Sequence, residues 1–245
     1  AQRRPDGSSA VADALPFPEQ TGDLEAAALE AWAYLEEHHF PAWVADSLYA
    51  LERVSALAGD SDSDFFGRVD LGRIGAFGWS FGGATAIQLL VSDPRIGAAI
   101  DMDGQLFGDA HEHGCPRPCL LLSSSERESP AAASEEEAER NRLAIESLMA
   151  RVEARQAALL AASTGAALSL EIAGTTHAAF SDFALLAPGA AGPIGGERAD
   201  EILTALVLEY FSAHLLGRPS ELLADPTAAY PEIRPVAYAT ARAGS

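Results

Sequence analysis

The sequence predicts an α/β fold with a mostly parallel sheet and helices on both faces. Four short apolar runs have the length and residue types of buried strands, and segments with helical apolar periodicity separate them. Strands that alternate with helices pair in parallel through right-handed crossovers. Functional side chains of such sheets gather beyond the carboxyl ends of the strands. The predicted strands are 73–77, 96–102, 118–124 and 168–173.

Five helices are predicted from apolar residues at i, i+3 and i+4 spacing. Ser134 is the expected N-cap of the longest helix, with acidic residues in its first turn. Gly217 followed by Pro219 predicts the end of the last helix. One domain is expected over 23–225, after a loose lead-in at 1–22 and before an irregular tail at 226–245. The predicted helices are 24–37, 41–57, 83–91, 135–162 and 197–216.

The charge balance restricts the classes of partner. The formal net charge is −20, and all 16 basic residues are arginine. So acidic a chain is unsuited to nucleic acid or an anionic membrane surface. No run reaches the roughly 18 apolar residues of a membrane span, and no targeting signal opens the chain. We therefore expect no integral membrane segment, and the compartment stays open between cytoplasm and exterior.

The two cysteines are only a weak indication of a metal site or a disulfide. Cys115 and Cys119 form C-x-x-x-C, and His111 and His113 lie nearby. Without a second ligand pair, this spacing favours two ordinary thiols over a metal site or a disulfide. We expect no metal and no cofactor.

Ser80 lies at the centre of a G-x-S-x-G motif, Gly78-Trp79-Ser80-Phe81-Gly82, between a predicted strand and a predicted helix. This setting is that of the nucleophile elbow of an α/β-hydrolase, in which a strained turn lifts the serine above the sheet. The two glycines are expected where neighbouring chain comes too close for a Cβ. The alternative is a glycine-rich turn with an incidental serine.

The backbone N–H of the residue after the nucleophile is the expected oxyanion donor, which here is Phe81. The hydrolase order then requires an acid and a histidine further along the chain. His177 follows the last predicted strand on a short loop and is the expected general base. His111 and His113 lie on a charged loop and are expected to be solvated.

Two acids compete for the third role. Asp101 and Asp103 both lie at the end of the second predicted strand, and strand alternation would project both to the same side. Gly104 marks where the strand gives way to a loop, which favours Asp103 as the partner of His177. Asp101 is then expected to be a structural carboxylate bonded to backbone N–H groups.

Residues 72–104 resemble the platelet-activating factor acetylhydrolase-like esterases of the plasma type, which carry G-H-S-F-G-G-A-T and then a strand ending in the triad aspartate. The segment starting at His177, HAAFSDF, is similar to the family pattern H-x-x-F-x-D-F. The resemblance covers 43–183, and its spacing implies Asp103 as the acid. It implies a calcium-independent serine esterase acting on short or oxidised acyl chains of phospholipid-like or small esters. The expected pocket residues are Trp79, Phe107 and Phe180.

Two departures from the family pattern stand out. Trp79 replaces the family's histidine before the nucleophile, which should change the pocket wall beside Ser80. No segment before residue 69 is predicted to be a buried strand, whereas relatives have several strands there and a loop that supplies a second oxyanion donor. We therefore expect the C-terminal part of a hydrolase fold, with a second donor that the sequence does not identify and weak or no activity of the chain alone.

Three functional hypotheses remain from the sequence. The first is a serine esterase with a small-molecule or lipid ester as substrate and no nucleic-acid partner; a homo-oligomer is compatible with it. The second is a peptidase or dienelactone-type hydrolase on the same fold. The third is a non-catalytic homologue that acts as a binding module, which the unidentified second oxyanion donor favours.

Overall fold

The structure is a computed structural model that describes residues 2–3, 9–10, 24–127, 132–187 and 189–239. Its central element is a five-stranded sheet, and a separate antiparallel pair of two-residue strands lies near the start of the chain. The predicted loose lead-in at 1–22 otherwise lies outside the described residues. The strands are β1 (Gln2–Arg3), β2 (Ser9–Ala10), β3 (Ile74–Trp79), β4 (Ile96–Met102), β5 (Cys119–Ser124), β6 (Ala167–Ile172) and β7 (Ile233–Ala239).

The predicted helices are found with their ends shifted by no more than three residues, and a few short turns are added. A π-helical turn at Leu35–His39 and a 3₁₀ turn at His177–Phe180 complete the helical elements. The α-helices are α1 (Leu24–Tyr34), α2 (Phe40–Gly59), α3 (Phe81–Ser92), α4 (Ala110–His113), α5 (Glu135–Ala162), α6 (Phe183–Leu186), α7 (Gly196–Leu216), α8 (Glu221–Ala224) and α9 (Pro226–Ala229).

The main sheet has the order β3-β4-β5-β6-β7. Its first four strands pair in parallel, as predicted, so the carboxyl ends of β3, β4 and β6 lie at one edge. The prediction of an irregular tail from residue 226 is wrong for β7, which pairs antiparallel with β6. β7 contains Pro235, and proline is tolerated there because β7 is an edge strand of the described sheet.

The sheet separates two apolar cores. On one face, Ile100, Leu122 and Leu170 pack with Ile202 and Leu206 of α7. On the other face, strand residues pack against helices α3 and α5; this second core includes Ala99, Leu121, Ile87, Leu90 and Leu159. Alternate strand residues therefore serve opposite faces, and helices cover both faces as the sequence predicts.

Two predicted helix ends are confirmed. The Ser134 side chain accepts the Glu137 N–H at 3.1 Å at the start of α5. Gly217 ends α7 with φ 67° in the left-handed region, where a residue without Cβ is favoured. The predicted break before Pro41 is not a break: the π-helical turn joins α1 to α2, because proline is tolerated in the first turn of a helix.

Three general properties of the described residues bear on function. None of their helices has both the length and the apolar composition needed to cross a membrane. No group of three His, Cys, Asp or Glu side chains among them is arranged to hold a metal ion. Cys115 and Cys119 are both buried free thiols.

Candidate active site

Ser80 occupies the turn between β3 and α3. Its backbone has φ 57° and ψ −121°, a conformation that L residues adopt at a cost. The Ser80 N–H donates to the carbonyl of Met102 at 2.9 Å, which ties the turn to the neighbouring strand. The side chain makes no capping hydrogen bond to α3, so the hydroxyl faces outward from the helix end. The strained strand-to-helix turn is the one predicted.

The glycines around Ser80 agree with the prediction only in part. A Cβ on Gly78 would lie 2.4 Å from the carbonyl of Gly82, so the strand and helix approach too closely there for any side chain. The same prediction for Gly82 is wrong, because a Cβ there would meet nothing within 4 Å. Gly82 is helical and its Cβ would point to open space. The second crowded position is Gly83, whose Cβ would lie 2.0 Å from Asp101 Oδ1.

His177 lies at the start of the 3₁₀ turn that follows β6. Its Nε2 lies 3.0 Å from Ser80 Oγ, across 97 positions of sequence. Its Nδ1 lies 2.7 Å from Asp103 Oδ2. The imidazole is therefore in hydrogen-bond contact with a hydroxyl on one side and a carboxylate on the other. The three side chains come from the carboxyl ends of β3, β4 and β6.

Asp103 is held by the strand next to it. The Ser124 backbone N–H donates to Asp103 Oδ1 at 2.8 Å, and the Ser124 hydroxyl lies 2.9 Å from Oδ2. The Asp103 N–H donates to Leu122 O at 2.8 Å, and Asp103 itself has φ 58°. Ser124 thus holds both carboxylate oxygens, including Oδ2, which His177 contacts.

Asp101 takes a different position. It is 1% exposed, and its Oδ1 accepts the Gly104 N–H at 2.8 Å, as expected of a structural carboxylate. Burial, reinforced by the charge of Asp103, raises the pKa of Asp101 well above the ordinary value. The expectation that both acids project to one side fails because β4 ends at Met102, so alternation does not extend to Asp103.

A cavity of about 290 Å³ opens at Ser80. Phe81 and Phe107 form one wall, with ring centroids 5.1 Å apart, and Trp43 packs edge-on against Phe81 at 4.9 Å. The backbone N–H of Phe81 begins α3 and is one of the N–H groups that a helix leaves without an intrahelical partner. The remaining lining residues are Leu35, His39 and Gln105. The site thus has an aromatic compartment next to the hydroxyl.

One helical face closes this compartment. Leu35, His39 and Trp43 follow at i, i+4 and i+8 through the π-helical turn, and all three line the cavity. The Nε2 atom of His39 is buried and has no hydrogen-bond partner among the described residues. Glu36, on the same turn, accepts from Arg155 of α5 at 2.6 Å. Burial alone would raise the pKa of Glu36, but Arg155 lowers it below the ordinary value.

A second cavity, of about 620 Å³, borders the site from the other side of the imidazole. Asp103, Gln105 and His177 lie on its inner wall, and apolar side chains of α5 with residues of β7 form much of the rest. Gln105 lines both cavities. The two compartments therefore adjoin at Gln105, with Ser80 lining one and His177 lining the other.

The three predicted pocket residues do not all line the cavity at Ser80. Phe107 lines the cavity at Ser80. Trp79 does not line it; its indole N–H instead donates to the carbonyl of His177 at 2.9 Å. Phe180 is 3% exposed and belongs to the core on the α7 face, so it is not a wall of the cavity at Ser80. An aromatic residue three positions after the histidine serves the core because the 3₁₀ turn directs it back to the sheet.

Sequence reasoning missed two contributors. Ser124 is the last residue of β5, and a polar residue at the carboxyl end of a buried strand was the available signal. The residues of the π-helical turn that line the cavity had no such signal. Helical periodicity predicts that one side of the helix is buried, but not whether that side faces the core or a cavity. No described residue is assigned as a second oxyanion donor.

Comparisons with known proteins agree with this architecture. A curated relative, the probable 1-alkyl-2-acetylglycerophosphocholine esterase of Arthroderma benhamiae, is 28% identical over 180 residues, which are 66% of this chain and 42% of the relative. The chain therefore spans less than half the length of that relative. A solved structure described as ferulic acid esterase from Streptomyces cinnamoneus matches with TM-score 0.58 and 26% identity, over 82% of this chain and 57% of the other.

The fold is that of an α/β-hydrolase, with an esterase as structural neighbour. Residues 56–199, more than half of the chain, match the family described as platelet-activating factor acetylhydrolase, isoform II. The chain belongs to that family.

Proposed function

We propose that this chain carries the chemistry of a serine carboxylic ester hydrolase, with Ser80 as nucleophile, His177 as general base and Asp103 as the acid that orients it. One observation carries the proposal: His177 lies 3.0 Å from Ser80 Oγ through Nε2 and 2.7 Å from Asp103 Oδ2 through Nδ1. Family membership supports the reaction class.

In the first half of the reaction, Ser80 Oγ attacks the ester carbonyl carbon while its proton passes to His177 Nε2. The carbonyl oxygen becomes an oxyanion, and the N–H of Phe81 donates to it. Asp103 accepts from Nδ1–H and stabilises the imidazolium without taking the proton. When the C–O bond to the alcohol breaks, Nε2–H protonates the leaving alkoxide and an acyl-serine remains.

In the second half, water replaces the alcohol. His177 Nε2 takes a proton from the water while the water oxygen attacks the acyl carbon. Collapse of the new tetrahedral intermediate returns that proton to Ser80 Oγ and releases the carboxylic acid. A single oxyanion donor is typically worth about 10²–10³ in rate, so the rate of this chain depends strongly on whether a second donor is available.

The proposed substrates are short-chain or oxidised acyl esters of phospholipid-like or small alcohols. The family match and the name of the fungal relative support this class. The compartment next to Ser80, of about 290 Å³, suits a short acyl group, and the cavity of about 620 Å³ beside His177 suits a larger alcohol portion.

A second candidate is an ester with an aromatic acyl group. The specific observation that favours it is the wall of Trp43, Phe81 and Phe107 around the compartment at Ser80, because aromatic rings pack on one another in offset or edge-on geometry. The solved structure of the ferulic acid esterase is a precedent for that substrate class in a related fold.

A fluorophosphonate probe tests the proposal most directly. We expect intact-mass analysis to find one adduct on the folded chain and peptide mapping to locate it at Ser80. Ser80→Ala should remove the adduct, whereas Ser55→Ala, a serine of α2 outside the site, should label like the parent. Hydrolysis of 4-nitrophenyl acetate, butyrate and a cinnamate ester would then rank the acyl groups.

A folded chain that takes no label, or a label that survives Ser80→Ala, would refute the assignment of Ser80. The first result would favour a non-catalytic binding module. Cleavage of aminoacyl amides in preference to esters would instead favour a peptidase on the same fold.

A further inference from the structure

Trp79 contacts the candidate base in two ways. Its indole N–H donates to the backbone carbonyl of His177 at 2.9 Å. Its ring also lies against the imidazole, with centroids 5.0 Å apart and planes inclined by 36°. One side chain therefore touches both the main chain and the ring of His177.

The position of Trp79 in the chain links these contacts to Ser80. It is the last residue of β3 and is bonded directly to Ser80, while His177 lies 98 positions further on. The loop before His177 is fixed on its far side, where Glu126 N–H donates to Thr175 O at 2.9 Å and Thr176 N–H to Ala191 O at 3.1 Å. The Trp79 indole fixes the near side, next to the nucleophile.

The imidazole itself needs such support. The side chain of His177 is 43% exposed, and within the described part of the chain its ring nitrogens are held through Ser80 and Asp103. Ser80 Oγ must be released from this contact when it attacks a carbonyl. The hydrogen bond from the indole to the carbonyl of His177 involves no reacting atom, so the proton transfer does not require it to break.

We propose that Trp79 is a positioning residue that sets the separation of Ser80 Oγ and His177 Nε2. The proposal rests on the function proposed above for Ser80 and His177. It assigns Trp79 to the geometry of proton transfer, in place of the pocket wall expected from the sequence. Displacing a reacting group by about 1 Å can cost about 100-fold in rate, so a lost hydrogen bond at this point should reduce turnover.

Kinetics of Trp79→Phe provide the first test, because phenylalanine keeps an aromatic ring and removes the N–H donor, together with one ring of the indole. We expect kcat for 4-nitrophenyl acetate to fall roughly 5- to 10-fold, the effect of about one hydrogen bond, with KM within about twofold of the parent, and fluorophosphonate labelling to slow by the same factor. Phe77→Leu is the matched control on the same exposed face of β3 and should change kcat less than twofold. A rise in KM with unchanged kcat, or no change at all, would overturn the proposal.

The indole N–H provides a test that needs no turnover. Three indole resonances in a ¹⁵N-resolved spectrum can be assigned by single Trp→Phe substitutions at Trp32, Trp43 and Trp79. We expect the Trp79 N–H to exchange with solvent at least tenfold more slowly than a free indole, and to keep this protection when His177 is replaced by Ala, because the acceptor is the backbone carbonyl of residue 177. Exchange as fast as in a free indole would refute the contact. A protected indole in a chain that never labels would refute the esterase and leave the contact standing.

Discussion

Ser124 donates twice to Asp103, once through its backbone N–H at 2.8 Å and once through its hydroxyl at 2.9 Å. The backbone N–H bonds Oδ1, whereas the hydroxyl bonds Oδ2, the oxygen that His177 Nδ1 also contacts. The hydroxyl can be removed by mutation while the backbone donor remains, so the value of this support can be measured.

We expect Ser124→Ala to lower kcat about tenfold, since a hydrogen bond to a charged group contributes roughly 1.5–3 kcal/mol and the backbone donor still holds Asp103 in place. Steady-state hydrolysis of 4-nitrophenyl acetate checks it. Ser124→Thr keeps the hydroxyl and should restore most of the activity. Equal kinetics of Ser124→Ala and the parent would show that the backbone donor suffices.

Asp101→Asn should stabilise the protein increasingly as pH rises. The pKa of Asp101 is raised in the folded chain, mainly by burial and next by the charge of Asp103. Its contribution to stability is therefore fully present below the unfolded pKa of about 4 and is lost as pH rises toward the folded pKa. Asparagine has no proton to lose, so the difference in unfolding free energy should grow by up to about 1.4 kcal/mol per pH unit above pH 4.

Urea unfolding of both proteins between pH 4 and pH 8 measures this difference. The slopes due to all other groups cancel in the comparison. Parallel pH dependences would mean that Asp101 is ionised in the folded protein.

Gly78→Ala and Gly82→Ala should have opposite effects although both glycines belong to the same motif. A Cβ on Gly78 meets the Gly82 carbonyl at 2.4 Å, so the elbow must open, at a cost of about 1–3 kcal/mol. A Cβ on Gly82 meets nothing within 4 Å, and alanine in place of a helical glycine should add about 0.5–1 kcal/mol. Thermal melting compares the two variants, and a destabilised Gly82→Ala would contradict the structure.

Trp43→Ala should discriminate between acyl groups. Trp43 packs on Phe81 at the cavity beside Ser80, and aromatic contacts are worth about 0.5–1.5 kcal/mol beyond their buried area. We expect kcat/KM for a cinnamate ester to fall about 3- to 10-fold more than for the acetate. Tyr49→Ala, another exposed aromatic residue of α2, is the matched control. Equal losses for both esters would argue against an aromatic acyl group in this cavity.

The sequence predicted the four parallel strands to within two residues. The signal was strongest for β4 and β5, because strands buried on both faces need nearly unbroken apolar runs. It could not predict β7, whose residues Arg234 and Pro235 interrupt any such run. β7 is an edge strand that is held by backbone pairing with β6. Backbone pairing does not require a particular pattern of side chains, so the sequence pattern does not reveal it. Local patterns thus identified the parallel strands, including β3 at the other end of the sheet order, better than the antiparallel strand β7.

At the site, Ser80 was predictable because its turn needs small neighbours in a fixed spacing. The relative orientation of Asp101 and Asp103 and the open space at Gly82 were not, because each depends on where an element ends. β4 stops at Met102 and α3 starts at Phe81, and a shift of one residue decides whether a side chain points into the elbow or away from it. The Trp79–His177 contact joins residues 98 positions apart and has no local signature.

The two side chains that flank His177 both stand on unfavourable backbone. Ser80 and Asp103 have φ 57° and 58°, and among the non-glycine residues of the described chain only Leu106 shares a positive φ. Such conformations cost about 1–3 kcal/mol each, and glycine at either position would relieve that cost. Selection for thermal stability alone would therefore favour glycine at both positions, and the chain would lose its hydrolytic activity. Retention of serine and aspartate there would be a record of selection for turnover.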